Sequence, residues 1–301
     1  MKKSNNRYIK LNRRIAGSIW GLAIGDALGA PLEFQENFEP IKSYIYGGIH
    51  NVQIGEWTDD TSMALCLAQS LIDKVGFDVN DQMSKYLAWY EDGYMCTRAK
   101  IFDIGLTVEK ALLHYRITKN PYSGLVGDVY SGNGSLMRLA PIAIYYSNDI
   151  KKAIHFAILS SKTTHKSNIA VDACRYFVQL LIGALNGTTK ENLLSSNFIQ
   201  KNHYHNEIQN VINGSFKNRN KFHSTGYVVD TLNVVLHAFY FTHSFEEGLL
   251  STVNLGGDAD TNGAVYGQLA GAYYGVDSIP NNLKQKLMMA EIVKKIILQL
   301  I

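Results

Sequence analysis

Cysteine is scarce in this chain. Cys66, Cys96 and Cys174 are the only three among 301 residues, far apart and without a C-x-x-C pair. That excludes a disulfide framework and a thiolate zinc site, and it points to a reducing compartment, the cytoplasm. Proline is also rare, with five residues, and no Pro-, Ser- or Gly-rich linker divides the chain. Alternating strand-like runs are few. Charge of one sign is missing as well: 29 Lys and Arg against 26 Asp and Glu leave a net charge of +3, too slight to imply nucleic acid. The basic run KNRNK at 217–221 reads as solvated loop. Finally, there is no clean membrane-spanning run. The basic start MKKSNNRYIKLNRR and the apolar IAGSIWGLAIGDALGAPL behind it have the outline of a signal peptide, but Asp26 and regularly spaced glycines interrupt it. A core helix is expected there, with neither export nor a membrane span.

What the chain does have is helical periodicity. After an acid pair at 59–60, Ala64, Leu67, Ala68, Leu71 and Ile72 follow the i, i+3, i+4, i+7, i+8 rule. Similar stretches begin near Met83, Thr107, Leu136, Ala153, Asn168, Val228, Phe245, Asn262 and Leu283. The pattern predicts one all-α domain over residues 1–301, with the polar stretch 186–223 as an irregular insertion. Two segments repeat glycine every fourth residue: Gly17, Gly21, Gly25, Gly29 and Gly263, Gly267, Gly271, Gly275. An interior glycine costs about 1 kcal/mol relative to alanine, so eight of them need an offsetting reason. Spacing of four places them on one ridge, where another backbone can come close. The expectation is two central helices packed antiparallel, bringing Glu33 and Asp260 to one rim.

Acidic residues cluster at the starts of two predicted helices. EWTDDTSMAL supplies Thr58, Asp59, Asp60 and Thr61, and LGGDADTNGA supplies Asp258, Asp260 and Thr261. Helix capping would account for one such residue per helix, not for several. Carboxylates this dense repel one another unless a cation sits among them. Oxygen-only ligands suit Mg²⁺, Mn²⁺ or Ca²⁺, not zinc, and the spacing is not that of an EF-hand. Two clusters meeting from distant parts of the chain could hold a pair of metals.

The segments GLAIGDALGAPLEF, WTDDTSMAL, FDIG, GNGSLMRLAP and LGGDADTNGAVYGQLAGAYYG occur in this order from about residue 15 to 280. Together they resemble the ADP-ribosylglycohydrolases, the family of the dinitrogenase reductase-activating glycohydrolase. The resemblance implies an all-α fold with a central acidic cleft, a binuclear Mg²⁺ or Mn²⁺ centre, and removal of ADP-ribose from a modified acceptor, most often arginine or serine. By the motif match, Thr58, Asp59 and Asp60 fall on one set of metal ligands and Asp258, Asp260 and Thr261 on the other. Glu33 falls on the acid at the metal rim. Gly132, Asn133, Gly134 and Ser135 precede an apolar run from Leu136, where free N–H groups at a helix start would cradle a diphosphate; the family places its phosphate-contacting loop there. His165 matches a histidine near the ADP-ribose, and Asp103 an aspartate that handles substrate in arginine-directed relatives. Those relatives continue with Asn where this chain has Leu106, which opens the question of the preferred acceptor.

The expected chemistry is metal-assisted hydrolysis at the anomeric carbon, through a cation-like transition state. A carboxylate among Glu33, Asp59 and Asp60 takes the proton as water attacks. The partner is an ADP-ribosylated protein or a small ADP-ribose derivative, and relatives are often monomers. Two alternatives stand beside this: a non-catalytic ADP-ribose-binding relative, and a hydrolase of another ADP-ribose or nucleotide derivative. All six metal positions and Glu33 are intact, which favours catalysis.

Overall fold

The structure is a computed structural model that describes residues 2–35, 37–199, 203–218 and 221–301, with side chains from Tyr8 onward. Gln200, Lys201 and Asn202 of the polar stretch, and Arg219 and Asn220 of the basic run, lie outside the described residues. Among the described residues, fourteen α-helices follow one another: α1 (Lys2–Gly29), α2 (Asp59–Asp73), α3 (Val79–Asp92), α4 (Leu106–Thr118), α5 (Ala140–Tyr145), α6 (Ile150–Lys162), α7 (Asn168–Leu185), α8 (Lys190–Leu193), α9 (Asn206–Ile212), α10 (Val228–Phe241), α11 (Phe245–Val253), α12 (Ala259–Tyr274), α13 (Asn281–Lys286) and α14 (Ala290–Leu300). Among the described residues, β pairing is limited to isolated bridges such as Gly47–Val52 and Gly132–Tyr227. The fold is all-α.

The glycine ridges explain its centre. α1 packs along α12 more extensively than any other two elements pack. A β-carbon on Gly17, Gly21 or Gly25 would collide with the carbonyl oxygen of Gly271, Gly267 or Gly263 respectively, and the collisions are reciprocal. Residue numbers rise along one helix as they fall along the other, so the pair is antiparallel. Glycine is used here for the backbone-to-backbone approach that a side chain would prevent. Gly275 serves differently: it is the C-cap of α12, at φ 82°. The first ridge helix stops at Gly29, and a 3-10 turn, Ala30–Leu32, delivers Glu33.

The other elements wrap this pair. The Tyr8–Leu32 stretch and α7 are long and apolar enough to cross a membrane, yet 94% and 78% of their most apolar windows are buried inside the fold. The polar stretch 186–223 contains α8 and α9, too short for a periodicity to show. Buried Leu193, Tyr204, Ile208, Val211 and Phe216 pin it to the core. The helix expected from Leu136 begins later, at Ala140. Residues 133–139 form tight turns instead, in which the Leu136 and Met137 N–H groups both donate to the Asn133 carbonyl.

Candidate active site

Asp59 and Asp60 open α2, but neither caps it. Thr58, the N-cap, makes no side-chain capping bond. The first N–H groups of α2 are met by Asp26 of α1, whose carboxylate accepts from the N–H of Thr58 at 3.0 Å and of Thr61 at 2.9 Å, and from both threonine hydroxyls. A carboxylate from another helix thus does the work expected of a local cap. Asp59 and Asp60 are left to turn elsewhere.

They turn toward the start of α12. Two left-handed glycines, Gly256 (φ 66°) and Gly257 (φ 61°), redirect the chain so that the Asp258 N–H bonds the Ser224 carbonyl at 3.1 Å. Asp258 and Asp260 then point inward. The Thr58 hydroxyl lies 3.4 Å from both Asp60 Oδ2 and Asp260 Oδ2, and the Thr261 hydroxyl lies 3.5 Å from Asp60 Oδ2. Residues about two hundred positions apart therefore share one knot of oxygens. Carboxylate oxygens of Glu33, Asp258 and Asp260 lie within 4.8 Å of one another.

The acids open onto a cavity of about 430 Å³. Glu33, Asp59, Asp103, Asp258, Asp260 and Thr261 line its acidic side, where oxygens of Glu33 and Asp103 lie within 4.8 Å of each other, and residues 104–108 leading into α4 line it beside them. Gly132, Asn133, Gly134 and His165 form the facing wall. Asn133 ties that wall to the acids, donating from Nδ2 to Asp258 Oδ2 at 2.6 Å and to Thr231 Oγ1 at 2.9 Å. Its own N–H is taken by the Gly226 carbonyl at 3.0 Å. With α5 starting at Ala140, the cradle of helix-start N–H groups expected behind Gly132 is not formed as such. Thr58 and Asp60 sit beneath the lining, buried. Ser135 lies behind the wall: its hydroxyl bonds Ser161 Oγ at 2.9 Å and Cys174 Sγ at 3.4 Å, and it does not line the cavity.

Three residues at the site carry no local sequence signal strong enough to name them. Asp26 is one. His50 is another: its Nε2 lies 3.3 Å from Glu33 and 3.5 Å from Asp103, in a loop that Arg98 fastens by a 2.8 Å bond to Glu56 and by donation to the His50 carbonyl at 3.0 Å. The third is Arg138, fully buried behind the Gly132–Gly134 turn and donating to the Gly134 carbonyl at 2.8 Å. A lone charge inside an apolar run was the available clue for Asp26 and Arg138. His50 offered none.

The electrostatics follow from packing so many acids into one buried space. Burial, then repulsion by Asp258 and Asp59, pushes Glu33 up to about 8. Burial, then Asp59 and Glu33, pushes Asp103 up to about 9. Burial raises Asp59 to about 6 and Asp26 to about 7, against hydrogen bonds that lower both. Asp60 and Asp260 are driven well above the usual carboxylate range by burial and by neighbouring acids. Asp60 Oδ1 is buried without any hydrogen-bond partner. An anionic oxygen so placed is unfavourable by several kcal/mol unless a cation meets it, and the surrounding donors are hard oxygens of the kind Mg²⁺ and Mn²⁺ prefer. The residues fit a divalent metal.

A buried acidic knot between two helix starts, faced by a glycine turn across a cavity of ligand size, is a hydrolase-type centre. The chain matches the ADP-ribosylglycohydrolase family model over residues 7–301. It is 35% identical over 284 residues to the ADP-ribosylarginine hydrolase Tri1 of Pseudomonas putida (strain GB-1), covering 94% of this chain and 76% of that protein. It is 34% identical to the ADP-ribosyl-[dinitrogen reductase] glycohydrolase of Rhodospirillum rubrum, covering 92% and 90% respectively. A solved structure described as an ADP-ribosylglycohydrolase-related protein complex superposes with a TM-score of 0.87 at 40% identity, over 97% of this chain and 98% of that one. The chain belongs to the ADP-ribosylglycohydrolase family and is a glycohydrolase.

Proposed function

We propose that this protein hydrolyses the bond between ADP-ribose and the guanidinium of a modified arginine on a protein, using two divalent ions, Mg²⁺ or Mn²⁺. The observation that carries the reading is that Asp60 and Asp260 meet across the Thr58 hydroxyl beneath a single cavity lined by Glu33, Asp59, Asp258 and Asp260. The name of the Pseudomonas putida relative supports arginine as the acceptor, and that of the Rhodospirillum rubrum relative supports a modified protein as the substrate.

Thr58, Asp59, Asp60, Asp258, Asp260 and Thr261 would hold the ions, with Glu33 at their edge. When bound, they supply Lewis-acid charge for the ribose hydroxyls and the attacking water. The chain's own groups do the rest. The Gly132–Gly134 turn and His165 receive the sugar-phosphate end. Asp103, beside Glu33 at the acidic side of the cavity, would pair with the guanidinium; that positive charge favours the ionised carboxylate that burial disfavours. Glu33 and Asp59 face the cavity, and one of the two accepts the proton as water attacks the anomeric carbon. Arginine leaves with less acid assistance than a serine oxygen, because its guanidinium already carries charge. The same reading places the protein in the cytoplasm as a monomer, and the three free thiols support the reducing compartment.

The test is a panel of ADP-ribosylated arginine, serine and small-molecule substrates, with and without chelator. Metal-dependent release from arginine, lost in Asp60→Asn and Asp260→Asn, is expected. Undiminished release by both variants with Mg²⁺ limiting would refute the proposal.

A further inference from the structure

His165 is buried to 1% exposure but lines the cavity. Its two ring nitrogens have different surroundings. Nδ1 lies 2.8 Å from the Thr164 hydroxyl. Nε2 has no partner among the described residues, and its edge of the ring lies against the glycine turn: a β-carbon on Gly132 would stand 3.2 Å from Nε2, and one on Gly134 would stand 3.0 Å from Cε1. Glycine at both positions keeps that edge uncovered.

The Thr164 hydroxyl decides which nitrogen carries the proton. Thr164 is fully buried, and its oxygen accepts from the guanidinium of Arg138 at 2.7 Å. Arginine only donates. The hydroxyl's own hydrogen then has one remaining partner, Nδ1 of His165. If Nδ1 were protonated instead, the threonine oxygen would accept twice and its hydrogen would be buried unpaired, at a penalty. The network therefore fixes Nδ1 as acceptor and places the hydrogen on Nε2. A second proton is disfavoured: burial, and then the charge of Arg138, lowers His165 to about 3.

We infer that Arg138 and Thr164 are positioning residues that hold His165 as a neutral Nε2–H donor, aimed at an oxygen of the ADP-ribose diphosphate or ribose. His165 is then a fixed hydrogen-bond donor and not a proton shuttle. Arg138 also bonds the Gly134 carbonyl at 2.8 Å, so one buried guanidinium sets both the turn and the imidazole behind it. The identity of the ligand rests on the proposed function.

The test combines nitrogen-15 NMR of His165 in the full chain with calorimetric binding of ADP-ribose. The wild type should show a neutral Nε2–H imidazole through the weakly acidic range. Thr164→Val, similar in shape but without the hydroxyl, should lose that tautomer preference and bind ADP-ribose about tenfold or more weakly, the loss expected for one hydrogen bond to a charged group. Thr164→Ser should restore both. Wild-type His165 found as Nδ1–H or as imidazolium, or a Thr164→Val variant that binds as tightly as wild type, would overturn the inference. A wild type with the expected tautomer but no affinity for ADP-ribose would overturn the proposed function and the ligand assigned here, so the two failures are separable.

Discussion

Adding one methyl group at a crossing glycine is a sharp test of the central helix pair. Alanine is the better helix former by about 1 kcal/mol, so on propensity alone Gly21→Ala should stabilise the protein. The structure demands the opposite. The new β-carbon would land on the Gly267 carbonyl, and a backbone obstacle cannot rotate away as a side-chain tip can. Overpacking costs about 1–3 kcal/mol when side chains absorb it; here the upper end applies. Opening the helix pair by roughly 0.5–1 Å would also forfeit a quarter to a half of the dispersion well for the contacts involved. Net of propensity, the expected loss is about 2 kcal/mol, or roughly 3 °C in Tm from the usual unfolding entropy per residue. Gly17→Ala and Gly25→Ala should both show it, but their effects on catalysis should differ. The two sites are about 12 Å apart along α1, and only Gly25 adjoins Asp26. Gly25→Ala should therefore also reduce turnover by about a hundredfold, the scale of a 1 Å misplacement, while Gly17→Ala keeps turnover close to wild type. Differential scanning calorimetry and an ADP-ribosyl-arginine assay read the two effects. A Tm for Gly21→Ala equal to or above wild type would refute the reasoning.

Asp26→Asn replaces a four-bond acceptor by a group that presents NH₂ to half of its donors; a shift in the urea midpoint worth about 1–3 kcal/mol is expected, and an unchanged midpoint would count against the capping role. Metal should stabilise the protein in a pH-dependent way. Asp59, Asp26, Glu33 and Asp103 are raised to about 6, 7, 8 and 9, above their unfolded values, so the chelated protein has their contribution in full below about pH 4 and loses it as pH climbs toward 9. Saturating Mg²⁺, which favours the ionised carboxylates, should raise Tm more at pH 8.5 than at pH 5.5 (both values roughly bracketing the middle of that window). Equal shifts at the two pH values would show that the acids do not meet the ion.

The parts of this molecule legible in its sequence are those written as local patterns. Glycine at every fourth position announces a close helix contact before any partner is known, and Asp59–Asp60 and Asp258–Asp260 announce themselves by density. The start of α5 was not legible, because the Asn133 carbonyl collects two N–H groups and holds 133–139 in turns where apolar periodicity alone reads helix. For the same reason Ser135 read as part of a loop facing ligand, although its hydroxyl is spent on Ser161 and Cys174. Asp26 was visible only as an interruption. Its partners, Thr58 and Thr61, lie 32 and 35 residues downstream, and no spacing rule connects a carboxylate on one helix to the free N–H groups of another.

That last connection shows how the acids are held together against their own repulsion. Gly25 touches α12 at Gly263, and the next residue, Asp26, holds the start of α2. A single step along α1 thus fixes the start of α12, which carries Asp258 and Asp260, relative to the start of α2, which carries Asp59 and Asp60. Neither pair needs attraction for the other to stay in place, so the knot can be assembled before a cation arrives. Replacing an acid within the knot removes a ligand and some repulsion, and the frame should survive it. Replacing Gly25 or Asp26 leaves every proposed ligand present but displaces one pair against the other. Asp60→Asn should therefore lower metal affinity with little loss, or even a gain, in metal-free stability, whereas Gly25→Ala should lower both. A metal-free Asp60→Asn protein as destabilised as Gly25→Ala would mean that the acids themselves hold the helix ends, and that the glycine contact is a consequence of the site and not its cause.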